Sequence, residues 1–361
     1  MLKNVYVIYG GISVEHEVSL LSASNVINSL DRSKYNVYPV YVSRNGYWIP
    51  YGKCDKKIEN YKELYLESNV NMSSIAKSLS NFLSNHYIDS KDNIFFPIIH
   101  GTYGEDGVLQ GLLEVLDIPY VGNGVLSSAL CMDKAITNQL FEENNIPQAK
   151  YKILSKESYN PNDKVSISKF IEYLGLPIYV KPCNAGSSIG VTCVKKEEDI
   201  YKAIDTAFNY DSKILLEEAI VGDELQVSVI GNECPIPSLP GVSRVQQEFY
   251  NYEGKYFDDN TIHIVPFELK NGETEKVQEL AKKVYSVCNC SGLARVDIFL
   301  RDSNREMLVN EINTCPGMTN HSMTTMLWKV TDNTNFPNLL DRLIKYALER
   351  YSKNKTLVKE I

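Results

Sequence analysis

The stretch LARVDIFLRDSNREMLVNEINTCPG at residues 293–317 constrains the chain more than any other. Two alternating apolar runs, 294–300 and 307–312, flank the polar turn RDSNRE, a pattern that predicts an antiparallel hairpin. Residues two apart share a face, so Arg295 falls with Asp297 and Glu311 with Asn313. With the turn centred on Asn304, Asp297 stands opposite Glu311 and Arg295 opposite Asn313. Opposed side chains approach to about 5 Å at Cβ, where like charges destabilise a sheet. Two carboxylates and an amide oxygen are hard ligands suited to Mg2+. Asp297, Glu311 and Asn313 are therefore the candidate metal ligands. The solvated outer face of an edge hairpin is the other reading of these residues, and a one-residue slip would invert every side chain. Arg295 on the same face and the sharp TCPG turn past Asn313 favour the metal reading. Backbone N–H groups beside a cation at that turn make a candidate oxyanion site.

A chain of 361 residues exceeds one ordinary core and predicts two or three domains. Its 43% hydrophobic and 23% charged residues describe a soluble globular protein. A net charge of -8 argues against a nucleic-acid surface. It leaves room for a nucleotide site, which needs only a few local cations. No apolar run approaches the ~18 residues of a membrane span. MLKNVYVIYGG lacks a small-residue cleavage site, so no signal peptide and a cytoplasmic location are expected. Of the eight cysteines only Cys288 and Cys290 are close, with a spacing that is neither a zinc pair nor a redox pair; all eight are expected to be reduced.

The rest of the chain reads as α/β. NVYVIY at 4–9 is a buried strand, followed by an amphipathic segment with Val18, Leu21, Val26 and Leu30 on one face, then the strand NVYPVYVS at 36–43. IFFPIIHG at 94–101 continues this unit to Gly122-Asn123-Gly124, and the polar 51–92 region is expected at its periphery. A second unit has a helix through Lys134, the strand PIYVKP at 177–182, the small-residue loop NAGSSIG at 184–190, and KILLEEAI at 213–220. A third contains QVSVIG, a loop at 240–262 rich in Tyr, Asn and Asp, a helix at 274–288, the hairpin, and a helix at 336–352. Successive N–H groups of the NAGSSIG loop can form an anion nest, with Lys181 and Lys134 as point charges. An ordinary turn is the alternative, and no Walker pattern occurs. The connector from Glu217 to Ile220 can hold adenine through its backbone and Glu224 a ribose; surface acids are the competing reading.

These segments together resemble a D-alanine–D-alanine ligase of the ATP-grasp superfamily. The resemblance rests on GGISVEHEVS at 10–19, HGTYGEDGVLQG at 100–111, MDK at 132–134, VKPCNAGSSIGV at 180–191, EFYNYEGKY at 248–256, ARVDIF at 294–299 and NEINTCPGMTNHSM at 310–323, in that order. It implies a three-domain ATP-grasp ligase with an N-terminal open α/β sheet domain at 1–123. A central subdomain at 124–217 and a catalytic domain at 218–361, with a lid at 240–262, would follow. ATP would phosphorylate one D-alanine, and the amine of a second would displace phosphate from the acyl phosphate. By this resemblance Asp297, Glu311 and Asn313 hold two Mg2+, with Mn2+ an alternative. Lys134, Lys181, Lys255, Glu217, Ile220 and Glu224 bind ATP. Arg295 and the Gly317 amide stabilise the oxyanion. Glu15 binds the first ammonium group and joins Ser187 and Tyr256 in a closing network, while His100, Ser322 and Met323 belong to the substrate sites.

Related ligases join D-alanine to D-serine or D-lactate. The resemblance favours D-alanine here, because Lys255-Tyr256 is present and Met323 is apolar where resistance-type relatives carry a basic residue. A non-catalytic nucleotide-binding regulator is the alternative of a different class, disfavoured by the intact Asp, Glu, Asn and Arg set. The family implies a homodimer serving peptidoglycan synthesis, with no nucleic-acid or membrane partner.

Overall fold

Alternation along the first strand dictates the N-terminal sheet. β1 (Lys3–Gly10) sends Val5, Val7 and Tyr9 into one core and Tyr6 and Ile8 into another, as a strand covered on both faces must. It pairs in parallel with β2 (Tyr35–Val42) and, on its other side, with a strand at Asn93–Pro97. The short β3 (Trp48–Pro50) runs antiparallel on the outer edge of β2, so with Asn93–Pro97 as β4 the order is β3-β2-β1-β4. α1 (His16–Ser29) and the C-terminal helix (Phe336–Lys355) cover one face through Leu20, Ala23, Leu339 and Leu343. α2 (Ile75–Asn85) and α3 (Val108–Val115) cover the other through Phe82, Leu109 and Leu113. The 51–92 region is thus less peripheral than its composition predicts, since Leu64 and Phe82 are both fully buried core residues. The computed structural model describes residues 2–66, 74–244 and 261–357.

α4 (Val125–Met132) and α5 (Lys134–Glu143) replace the single helix expected through Lys134. Asp133 breaks it with an extended backbone and caps α5, its carboxylate accepting from the Ala135 and Ile136 amides at 3.1 Å. Lys134 consequently opens a helix instead of lying inside one.

The middle sheet is antiparallel, with order β5-β8-β6-β7 for β5 (Tyr151–Ser155), β6 (Ile178–Pro182), β7 (Thr192–Val194) and β8 (Lys213–Glu218). α6 (Lys164–Leu174) and α7 (Ile200–Ala207) pack on it through Ile167, Ile200 and Ile204. The third sheet contains β9 (Gly222–Gly231), β10 (Ile236–Pro237), β11 (Gly241–Arg244), β12 (Ile262–Ile264), β13 (Gly292–Arg301) and β14 (Met307–Asn313). Its order is β12-β11-β9-β13-β14, with β10 also on β9. α8 (Glu273–Val287) buries Val277, Ala281 and Val284 against it, and α9 (Met323–Asp332) packs Leu327 and Trp328 inward. The ends of the expected 240–262 loop are therefore strands: Val242 pairs with Ile264 and Arg244 with Ile262. The motif at 248–256 lies outside the described residues.

Candidate functional site

The hairpin has the register that alternation predicts at its functional end. Arg295 pairs with Asn313 and Asp297 with Glu311. A bulge then shifts the ladder, so Ile298 pairs with Val309 and Asn310 is the extra residue. The Asn310 amide donates to Glu224 Oε1 of β9 at 2.6 Å. Asp297 is only 2% exposed, and both its oxygens accept from Arg295, from Nε at 2.7 Å and from Nη2 at 2.6 Å. Glu311 has the Lys134 ammonium 3.9 Å away. The confrontation of carboxylates is thus answered in part by these two cations. Asn313 Oδ1 accepts from the Cys315 amide at 3.0 Å, which starts the TCPG turn. Oxygens that accept one hydrogen bond keep a second lone pair, so this donor set still fits a hard divalent cation.

Two lysines converge from the middle unit. Lys134 donates through Nζ to the Ala185 carbonyl at 2.9 Å, which ties α5 to the NAGSSIG loop. Lys181, near the end of β6, donates to Glu217 Oε1 of β8 at 2.6 Å. Burial works against the Lys181 charge, but Glu217 foremost, with Glu311 and Glu224, holds its ammonium above the ordinary value. In the loop, Ser187 and Ser188 adopt left-handed backbones with φ of 51° and 59°, a conformation that costs L-residues about 1–2 kcal/mol each. The strain accompanies a link between units, because Ser187 Oγ donates to the carboxylate of Glu15.

Glu15 is the N-cap residue of α1, but its side chain makes no capping hydrogen bond. The residue is 4% exposed and its carboxylate lies wedged between glycines. A Cβ at Gly101 would stand 2.5 Å from its Oε2, and one at Gly186 would stand 3.2 Å away. Next to Glu15 lies Glu105, whose Oε1 accepts from the Gly101 amide at 3.0 Å and whose Oε2 is buried without a hydrogen-bond partner. Burial, reinforced by the Glu15 charge, pushes the Glu105 carboxyl up to about 8. Sequence reasoning did not single out Glu105; the only signal is its place in the HGTYGEDG stretch. Nor did it single out Asn123, 3% exposed, which donates to the Leu293 and Thr314 carbonyls at 2.6 and 2.9 Å and accepts from the Ser291 amide at 2.9 Å. That side chain joins the N-terminal unit to both ends of the β13–β14 hairpin.

A cleft of about 910 Å3 opens between the three sheets. Glu15, Lys134, Lys181, Ser187, Glu217, Ile220 and Glu224 line it, as do Arg295, Asp297, Glu311, Asn313, Gly317, Ser322 and Met323. Ser322 precedes α9 and donates to the Thr319 carbonyl at 3.0 Å, beside the Thr325 hydroxyl at 3.2 Å. His100 is the described predicted residue that stands behind the lining. Its Nδ1 meets the Cys315 carbonyl at 2.9 Å and its Nε2 the Ser22 hydroxyl at 3.0 Å. A carbonyl only accepts, so Nδ1 carries the proton and Nε2 accepts from Ser22. Burial holds His100 below its ordinary value, consistent with a neutral ring. Lys255 and Tyr256 lie outside the described residues. The eight cysteines are free thiols. Among the described residues no helix is long and apolar enough to cross a membrane.

The family described as D-ala D-ala ligase N-terminus matches residues 4–123, and that described as D-ala D-ala ligase C-terminus matches residues 140–345. A D-alanine–D-alanine ligase of Finegoldia magna is 46% identical over 356 residues, covering 98% of each chain. One from Geobacillus kaustophilus is 40% identical over 363 residues, covering 99% of this chain and 98% of the relative. Among solved structures, the D-alanine–D-alanine ligase of Coxiella burnetii superimposes with a TM-score of 0.78 at 31% identity, over 99% of this chain and 98% of that one. The VanG D-Ala:D-Ser ligase of Enterococcus faecalis gives the same TM-score at 30% identity, over 96% of this chain and 100% of its own. A Bacillus anthracis D-alanine–D-alanine ligase complexed with ATP gives 0.72 at 27%, over 98% and 99%. The chain belongs to the D-alanine–D-alanine ligase family and has its ATP-grasp fold.

Proposed function

We propose that this chain joins two D-alanine molecules at the expense of ATP, through a D-alanyl phosphate, to supply D-alanyl-D-alanine for peptidoglycan. The observation that carries this reading is one cleft bordered by the Asp297–Glu311 face, the Lys134 and Lys181 ammoniums, and Glu15. A free carboxylate is a poor electrophile until one oxygen becomes a good leaving group. Lys134 and Lys181, with Lys255 by resemblance, hold the ATP phosphates, while Ile220 and the backbone at Glu217 border adenine and Glu224 the ribose. The γ-phosphoryl group passes to a carboxylate oxygen of the first D-alanine and ADP leaves. Glu15, held by Ser187, binds the ammonium of that D-alanine; by resemblance Tyr256 completes the link. The second amine then attacks the acyl carbon, Arg295 and the Gly317 N–H stabilise the oxyanion, and phosphate departs. Ser322 holds the second carboxylate, His100 supports the turn at Cys315, and Met323 faces the methyl group.

Asp297, Glu311 and Asn313 would hold two Mg2+, or Mn2+; when bound, these ions neutralise phosphate charge. The same proposal includes three domains at 1–123, 124–217 and 218–361, a cytoplasmic location and a homodimer. Similarity to both D-alanine and D-serine ligases leaves the second substrate to the residues of the site, where an apolar Met323 suits a methyl group. Phosphate release is expected with D-alanine alone, with no preference for added D-serine or D-lactate. A preference for mixed products at neutral pH overturns the choice of D-alanine.

A further inference from the structure

Behind the cleft, a ring nitrogen of His100, a carboxylate oxygen of Glu105 and the Cys315 thiol lie within 4.8 Å of one another. The three come from two distant segments, and the His100 Nδ1 bond to the Cys315 carbonyl braces them together. We propose that His100, Glu105 and Cys315 form a binding site for a thiophilic divalent cation such as Zn2+, separate from the carboxylate face of β13 and β14. Imidazole, thiolate and carboxylate are the three side chains that zinc takes, with donor distances of roughly 2.0–2.3 Å. Donors around a tetrahedral ion stand roughly 3.3–3.8 Å apart on those distances, so closure needs shifts of about 1 Å. Side-chain rotation supplies shifts of that size.

Two further features fit. Glu105 Oε2 is buried without a hydrogen-bond partner, an oxygen that a cation would satisfy. With the Nδ1 proton on the Cys315 carbonyl, the His100 lone pair lies at Nε2, where a cation would take the place of the Ser22 hydroxyl. The chemistry is that of a soft-metal site, distinct from the all-oxygen set of Asp297, Glu311 and Asn313. On binding, the cation takes the place of the thiol and carboxyl protons, which pass to solvent through the cleft that Glu105 borders. The Cys315 amide holds Asn313 Oδ1, so such an ion would grip the turn that leads to Gly317. The proposal stands independently of the ligase reading, because it concerns binding in the absence of substrates.

Cd2+ titrated into the reduced full-length protein, with Mg2+ in excess to occupy hard sites, reports the site directly. One equivalent should bind with a thiolate-to-metal charge-transfer band. Cys315→Ala should abolish that band, and Glu105→Gln should weaken binding by about tenfold or more. An undiminished band in folded Cys315→Ala, with the ion held at another thiol such as Cys131 or Cys288, overturns the proposal. Should that variant fail to fold, anomalous diffraction from Cd2+-soaked crystals of the unsubstituted protein decides. A peak within bonding distance of all three side chains supports the site, and its absence there refutes it.

Discussion

Replacing Lys181 by Met separates the structural part of the phosphate site from its binding part. Lys181 is partly buried in the wall of the cleft, and Glu217, 5% exposed, depends on it for the 2.6 Å hydrogen bond between β6 and β8. Lys181→Met leaves a buried carboxylate without its cation, a change that costs about 3–5 kcal/mol. Lys181→Met with Glu217→Gln removes both charges, and a neutral, well-packed pair should return to within about 1–2 kcal/mol of the parent. The double variant should therefore be about 2–3 kcal/mol more stable than Lys181→Met alone. The ammonium is held above its ordinary value, so its contribution is complete at neutral pH. It fades only as pH rises beyond about 10.4, through the higher folded value. Native-state hydrogen exchange at the Val180 and Leu216 amides, whose residues pair across these strands, reads the local loss. Both variants lack the phosphate cation, so the KM for ATP should rise in both while stability recovers only in the double variant. A double variant no more stable than Lys181→Met, or a Lys181→Met cost below about 1 kcal/mol, would show that the pair does not hold this sheet.

Other perturbations test other joints of the site. Glu105→Gln should leave stability unchanged near pH 4 but raise it above pH 8. The native carboxyl, raised to about 8, binds a proton that the unfolded chain has already lost, so stability falls as pH climbs through that window; urea midpoints at both pH values check the sign. Asn123→Ala strands two buried carbonyls and one amide, and should destabilise the junction by about 2–4 kcal/mol, seen as faster exchange at Ser291. Glu15→Gln removes a charged partner worth about 1.5–3 kcal/mol and should lower kcat/KM for D-alanine by about 10–150-fold with ATP binding retained.

The site was legible in the sequence where a short-range period fixes which side chains share a face. Alternation on β13 and β14 put Asp297 opposite Glu311 because a one-residue slip would have exposed Val296 and Ile312. The bulge at Asn310 was not legible, since one extra polar residue looks like any other until Glu224 of β9 comes beside it. The same limit hid Glu105 and Asn123, whose burial comes from units that meet only in the folded chain. β11 and β12 escaped notice because strands of four and three residues carry too little alternation to separate them from a polar loop. The break before Lys134 left a local sign in Asp133, a good capping residue, which a continuous helical reading passes over.

Activation of a carboxylate by phosphoryl transfer leaves an isotopic record. With D-alanine labelled by 18O in its carboxylate, unlabelled ATP and Mg2+, the inorganic phosphate can be analysed as dipeptide accumulates. Formation of D-alanyl phosphate predicts one 18O atom in the phosphate for every D-alanyl-D-alanine made, and loss of both products in Asp297→Asn. Phosphate free of label, or dipeptide formation undiminished in Asp297→Asn, contradicts the account.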